Sequence, residues 1–512
     1  MQPQPPPAAL AAWLDTLGAG NVELDSRALQ QAGTATFATT ARVAAILRPG
    51  STQEVQSCLR IATGHHVPVW PCSAGKNWGM GSRVPVVDGS VLLDLGRMNR
   101  ILDFDEDMAY ITVEPGVTFG QVHAFLRARS SRLFCAVIGG SAQASLIGNA
   151  LERGDGVGPY RNRAEHASAM EVVLPTGERI QTGLGRWSDA CSVHLHRAGV
   201  GPGLDGLFLQ SNLGVVTRMT FWLAPRPAFM QLFSLSIQDC EQLAGVLDAV
   251  RRLSQSGVMG ESGFTFWNRY KLLARSGQYP WGQVGEKTPL GAAAAGSPSW
   301  YGNGAQYLAS RAIGHAARTL VCQALEPFAR IMVADTDTHG AELENSAFFG
   351  VPGDDNVAST YWRKRTPPPP GQMDPDRDGC GVLWVCPVLP LQGALVAQLL
   401  PQLEALVLAH GFEPNLGMHV SDARCLLAYA AIMYDRNVAG EDARARACHD
   451  ALFARLLSQG HYPFRLSLPA MSQLPPPADA TGRLIDALKQ ALDPALVLAP
   501  GRYAMHSHEG CH

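Results

Sequence analysis

Apolar and polar positions along the chain switch repeatedly between a period of two and a period near 3.6. VAAILRP, from Val43, is an apolar run of strand length. STQEVQSCLRIATGH then repeats its apolar residues at helical spacing, and VPVWP, from Val67, is apolar again. This succession predicts a β-α-β unit. VVDGSVLLDL and DMAYITVEPG read as strands, and TFGQVHAFLRA as an amphipathic helix. MEVVLPTGERIQTG predicts a hairpin turning at Pro175-Thr176-Gly177, and VVTRMTFWLAP a strand ending near Pro225. A second block opens with a strand, FMQLFSLSI, and a helix, CEQLAGVLDAVRRLSQ. The Gly, Pro and Ala content of 278–304 predicts a long loop. Helices are expected at about 306–330, 391–410 and 441–458, strands at GVLWVCPVLP and ARCLLAYAAIMYD, and a last helix at ATGRLIDALKQAL. The proline run TPPPPGQMDPDRDG must be an exposed, extended connection.

Composition narrows the class. At roughly 100–200 residues per domain, 512 residues make two large domains or three modest ones. Apolar residues are 46% and charged residues 17%, which supplies a core and excludes disorder as a class. A formal net charge of −3 gives no general pull toward nucleic acid or acidic lipid. Arg outnumbers Lys 36 to 5, which reads as codon bias, not as a binding surface. Eleven Cys are scattered without a C-x-x-C pair, so neither a zinc ribbon nor a disulfide framework is expected. They read as small buried hydrophobes in a reducing cytoplasm. MQPQPPPAALAAWLD has no basic region and is broken by prolines, so it does not read as a secretory signal, and residues 1–8 read as disordered. No run of about 18 uncharged apolar residues predicts a membrane span.

The candidate chemistry starts at PCSAGKNWGMGS, residues 71–82, directly after a strand. Its crowded small residues let backbone N–H groups converge on an anion. It is not a Walker A loop, because Asn follows Gly-Lys. Further Gly-rich segments follow: Gly139-Gly140-Ser141 through GNALERGDGVGPY, then LPTGE, then DGLFLQSNLGVVT. Several such loops in one domain suit an extended nucleotide, and ordinary β-turns would not need the charged and amide residues embedded in them.

Together with LDLGRMNRI, AYITVEPGVT and a C-terminal LAPGRY, these motifs resemble the vanillyl-alcohol oxidase / p-cresol methylhydroxylase flavoproteins, and their 4-phenol oxidizing branch most. The likeness spans most of 40–225 and the last 50 residues. It implies an α+β protein with an FAD-binding domain of two subdomains at 9–225, an α+β cap over the flavin ring at 226–460, and a tail, 461–512, that returns to the FAD domain. It also implies that Ser73, Ala74, Gly75, Lys76 and Asn77 wrap the pyrophosphate with backbone N–H groups. Gly140, Ser141, Ser145, Asn149, Gly154, Gly214, Val216 and Arg502 would line the rest of the cofactor.

The resemblance implies oxidation of a 4-alkylphenol. The phenolate is held by two Tyr and an Arg, and its benzylic carbon gives a hydride to the flavin, leaving a p-quinone methide. Tyr110 and Arg465 are expected to hold the phenolate, and Arg465 also to stabilise the reduced flavin. Phe464 stands where a second Tyr is expected, and Tyr462 lies on its face of a strand and restores a hydroxyl. Without the resemblance, Tyr110 reads as a strand aromatic with a satisfied hydroxyl. Relatives tether FAD through a His or Tyr of the cap; Cys380–Trp384 has neither, so FAD is expected to be non-covalent. Relatives that need a base carry an Asp where Gly140 stands, which favours an intermediate that collapses without one, by loss of CO2. His419 reads as a satisfied core histidine more readily than as a substrate contact. Cys135 is poorly spaced for a flavin link, and MHSHEGCH reads as a solvated terminus, with no metal expected. The expected partners are a phenolic substrate and O2 or another electron acceptor, with no nucleic acid or membrane; a homodimer is left open. Two alternatives remain: a sugar or lactone oxidase of the same superfamily, and a flavin-binding homologue without turnover.

Overall fold

The computed structural model describes residues 3–504, apart from 261–262, 283, 285–288, 291–296, 370–371 and 475–478. The tail MHSHEGCH lies outside the described residues. Three main sheets organise the chain. The predicted β-α-β unit forms as strand Ala45–Leu47, helix Thr52–Gly64 and strand Val69–Cys72. Val91–Asp94 lies between the two strands and pairs parallel to both. Ser51 caps the helix by accepting from the backbone N–H of Glu54, and Val55, Cys58, Leu59 and Ala62 form its buried stripe. A second sheet runs Ile101–Asp105, Tyr110–Val113, Val215–Trp222, Ala167–Val173, Arg179–Gln181, and includes the expected hairpin. Helix Phe119–Ala128 begins with a full capping box at Thr118 and Gln121.

The third sheet has eight antiparallel strands, ordered Arg330–Asp335, Phe229–Ile237, Trp300–Leu308, Phe264–Asn268, Asn415–Val420, Cys425–Asp435, Cys380–Pro390, Pro463–Arg465. Its side chains alternate between two surroundings. Phe264, Phe266, Leu416, Met418, Ala428, Ala430, Leu383 and Val385 join a core with helices Cys240–Gln255, Gly393–Ala409 and Glu441–Ser458. The intervening Thr265, Trp267, Gly417, His419, Tyr429, Trp384 and Cys386 line a cavity on the other face.

Several expectations need correction. Helix Pro7–Leu17 starts inside the supposedly disordered segment, because Pro at the first helical position has no N–H to satisfy and Ala9, Trp13 and Leu17 bury a face. Trp300–Leu308 is a strand, not loop and helix. Its Gly302 and Gly304 hide the strand pattern, yet a Cβ at either would meet the ring of Phe266 or Phe264. The helix behind it is only Arg311–Leu325, and Arg330–Asp335 is a further edge strand. The tail is shared between the two halves: Pro463–Arg465 pairs with the cap strand Cys380–Pro390, while Leu498 bridges Val69. Thr36 joins the halves again. Its hydroxyl donates to the Val382 carbonyl at 3.0 Å and accepts from the Gly79 N–H at 2.8 Å. Among the described residues, no helix is long and apolar enough to cross a membrane.

Candidate active site

The two halves enclose a cavity of about 490 Å³. One wall is the loop after strand Val69–Cys72, with Ser73, Ala74, Gly75, Lys76 and Asn77 all lining it. Gly75 holds φ +64°, a conformation that favours glycine, and the Arg83 side chain crosses where its Cβ would stand. Across the gap, Ser145 caps helix Leu146–Leu151: its Oγ accepts from the Gly148 N–H at 2.9 Å and donates to the Pro115 carbonyl at 2.6 Å. A Cβ on Gly148 would lie 2.7 Å from the Ser73 hydroxyl, so the loop and the helix start approach as closely as glycine permits.

Asn149 also lines the cavity, held by buried Arg163, which donates to its Oδ1 at 2.8 Å. Gly154 backs this arrangement, since a side chain there would run into the Asn149 amide. Gly140, Gly214, Val216 and Arg502 line the wall as well. Arg502 is ion-paired with Glu152, and its guanidinium lies over the Trp70 ring at 5.3 Å. Four buried donors around the cavity, Trp78 Nε1, Ser211 Oγ, Arg465 Nε and Arg502 Nε, have no hydrogen-bond partner among the described residues. A glycine-built anion cradle and unspent donors fit FAD, whose diphosphate and ring carbonyls are acceptors.

The cap supplies the opposite wall in two cross-strand rows. Trp267 pairs with Gly417, and Gly417 with Tyr429. On the next two strands Cys386 pairs with Arg465, and both side chains reach the cavity. One step along, Asn303, Thr265 and His419 form the second row. Trp384 closes over Gly79, where φ is +78° and a Cβ would enter the indole. Arg465 donates to Asn77 Oδ1 at 2.8 Å, joining the cap row to the loop. The Tyr429 phenol is held far above its usual range, by burial first and then by Asp155 and Cys386, so it stays a neutral hydrogen-bond donor.

Tyr110 is not part of this site. Its strand turns Ile111 and Val113 into the core, and Tyr110 faces the other side, stacked on His194 at 4.8 Å. Its hydroxyl donates to Asp103 Oδ2 at 2.9 Å, as expected of a satisfied strand aromatic. Tyr462 precedes its strand and is 58% exposed. Ser141 and Gly154 are not among the residues that line the cavity. His419, read as a core residue, lines the cavity. Its Nε2 lies 3.0 Å from Asp155 Oδ2 and it also meets Arg161, while Nδ1 is 2.6 Å from the Thr265 hydroxyl. Gly140 does lack a carboxylate, but the cavity has two, Glu152, paired with Arg502, and Asp155. Burial pushes the Asp155 carboxyl up, yet His419 and Arg161 outweigh it and hold it below its ordinary value. Burial and Arg161 lower His419 to about 4. Both are therefore weak proton acceptors near neutral pH.

A family model described as an FAD binding domain matches residues 43–183. The 1'-carboxy-chondrochloren decarboxylase of Chondromyces crocatus is 44% identical, over 98% of this chain and 98% of its own. The 4-cresol dehydrogenase [hydroxylating] flavoprotein subunit of Pseudomonas putida is 28% identical, over 88% of this chain and 85% of its own. A solved structure of p-cresol methylhydroxylase with substrate bound superposes with a TM-score of 0.88 at 25% identity, covering 97% of this chain and 96% of that one. With the glycine-built cradle and the strand-built wall opposite it, these likenesses assign the chain to the vanillyl-alcohol oxidase / p-cresol methylhydroxylase family of FAD-dependent oxidoreductases.

Proposed function

We propose that the chain oxidises a para-alkylphenol that carries a carboxylate β to its benzylic carbon, and releases CO2 to give a vinyl phenol. The observation that carries this is the cavity-facing pair Arg465 and Tyr429, a fixed cation beside a neutral phenol donor, held next to the cofactor loop through Asn77. Such a pair suits a phenolate, since a charge-assisted bond from Arg and a hydroxyl bond from Tyr both favour the ionised substrate. Tyr429 takes the role that the sequence reading gave to Tyr110.

The Ser73–Asn77 loop, Asn149 and Arg502 would hold FAD, which would supply the hydride acceptor. Loss of a benzylic hydride from the phenolate leaves a quinone methide. The carboxylate C–C bond can then break, its electron pair forming the vinyl double bond and restoring the aromatic ring as CO2 departs. No proton acceptor is needed. That matters here because Asp155 is held below its ordinary value and His419 is lowered to about 4, so both are poor bases. With Gly140 bare of a carboxylate as well, the cavity favours an intermediate that collapses without a base. A relative named as a decarboxylase supports the same outcome. O2 or another acceptor would take the electrons back.

Incubation with 3-(4-hydroxyphenyl)propanoate is expected to give CO2 and 4-vinylphenol in equal amounts, read by headspace analysis and mass. A product that keeps its carboxylate and gains oxygen would overturn the decarboxylation. Because Cys380–Trp384 offers neither His nor Tyr, the cofactor is expected to dissociate. Acid precipitation should leave yellow flavin in the supernatant, and a fluorescent protein band on a denaturing gel would contradict this.

A further inference from the structure

Four of the five lysines fall in the described residues. Lys76 faces Asp374 at 3.7 Å, Lys364 faces Asp435 at 2.7 Å, and Lys489 faces Asp493 at 2.6 Å. Lys271 is the exception. It sits in helix Arg269–Ser276, whose cap, Asn268, accepts from the Lys271 backbone N–H at 3.2 Å. Its stem lies along Gly417, the gap in the first cross-strand row: a Cβ there would stand 3.3 Å from Cδ and Cε of the lysine. Its ammonium is 4.9 Å from the Trp384 ring centre and 3.4 Å from Asn415 Oδ1. Among the described residues, the charged and titratable side chains that bear on it are Arg275 and Cys386, neither of them a carboxylate. Cys386 in turn feels both Lys271 and Arg465, so the two cations flank it on one wall of the cavity.

We infer that Lys271 is the counter-cation for the substrate's carboxylate, and that the site selects phenols with an anionic side chain. The inference rests on the para-alkylphenol reading above. A buried ammonium with no carboxylate partner among the described residues, beside the Trp384 ring and the Arg275 cation, is costly until an anion arrives. Burial already lowers its pKa to about 8, which fits a group waiting for a counter-charge. Two carboxylates line the cavity, and neither bears on Lys271: Glu152 is paired with Arg502 and Tyr503, and Asp155 lies against His419 and Arg161. Arg465 and Lys271 then divide the work: one cation for the phenolate, one for the carboxylate, with Tyr429 and Cys386 between them. While the carboxylate stays ion-paired its negative charge is held in place, and loss of CO2 relieves that pairing as neutral CO2 leaves.

The test compares 3-(4-hydroxyphenyl)propanoate with its carboxamide, which has the same shape and no charge. The FAD-loaded protein is titrated anaerobically, and both the dissociation constant and the flavin reduction rate are measured for each ligand. The wild type should prefer the acid, and Lys271→Met should cut that preference roughly 10- to 100-fold, the range for one charge-assisted hydrogen bond. Lys271→Arg should restore part of it. Met matches the lysine stem and removes an unpaired charge, so the fold has little to lose. A wild type that reduces with both ligands alike, or a Lys271→Met variant that keeps the preference, overturns the inference and leaves the phenol reading standing. If neither ligand reduces the flavin, the phenol reading falls and the inference falls with it.

Discussion

Replacing Arg465 with Ala is expected to lower phenol-dependent flavin reduction by roughly 10- to 150-fold, while most bound FAD is retained. The figure follows from a hydrogen bond to a charged group, about 1.5–3 kcal/mol, in a site where no other cation takes over the phenolate. Its link to Asn77 at 2.8 Å ties the residue to the cofactor loop, so some weakening of FAD binding should accompany the loss. Tyr429→Phe should act in the same direction but less, because it removes a neutral donor and keeps the ring that packs edge-on against Phe464 at 5.7 Å. Tyr110→Phe should change neither rate nor FAD content, since its hydroxyl is bonded to Asp103 on another sheet face. Stopped-flow reduction of the three variants separates these cases. Equal rates for Arg465→Ala and the parent would show that the phenolate binds elsewhere.

The contrast between Tyr110 and Tyr429 shows what a sequence can carry. The loop at 73–77 was legible as part of the cavity wall because its demand is local: small residues, a positive φ at Gly75 and a strand just before it all lie within a few positions. Ser145, Asn149 and Gly214 were legible for the same reason, each belonging to a short Gly-rich motif. The cap wall is different. Trp267, Gly417, Tyr429, Cys386 and Arg465 come from five strands, and only the register of the eight-stranded sheet sets them side by side. Alternation in FTFWN and NLGMHV was present in the sequence, but alternation says that one face is buried differently, not what it faces. Asp155 was missed because it sits inside a Gly-rich motif read for its glycines. His419 was read as a core residue, and it is buried; what the sequence lacked was the arrival of Asp155 and Arg161 from the other half of the chain. Trp300–Leu308 failed by a third route, since the glycines that admit Phe264 and Phe266 also remove its strand pattern.

The largest expected loss of stability comes from Glu413, under the cavity. Its carboxylate accepts from Arg363 at 2.5 Å, from the Leu290 N–H at 3.0 Å and from the Tyr279 hydroxyl. Both members of the ion pair are at most 1% exposed. The guanidinium is packed against Tyr279, Trp281 and Phe412, with ring centres at 4.7, 5.2 and 5.5 Å. Arg363 follows directly on Asn356, Val357, Ser359 and Thr360, which line the cavity, so the pair pins that wall to the strand Asn415–Val420 beside Glu413. Glu413→Ala leaves a buried guanidinium whose other acidic neighbour, Glu441, is 3.8 Å away and already shared with Arg444. A cost of about 3–5 kcal/mol is expected, read as a lower denaturant midpoint for the tryptophan signal. The cost arises from the stranded charge more than from the lost contact. The double variant Arg363→Met, Glu413→Leu should therefore be more stable than Glu413→Ala alone, because it removes both charges and keeps apolar volume. A double variant less stable than the single one would mean that the pair earns its place through the hydrogen bonds to Tyr279 and Leu290, and not through charge compensation.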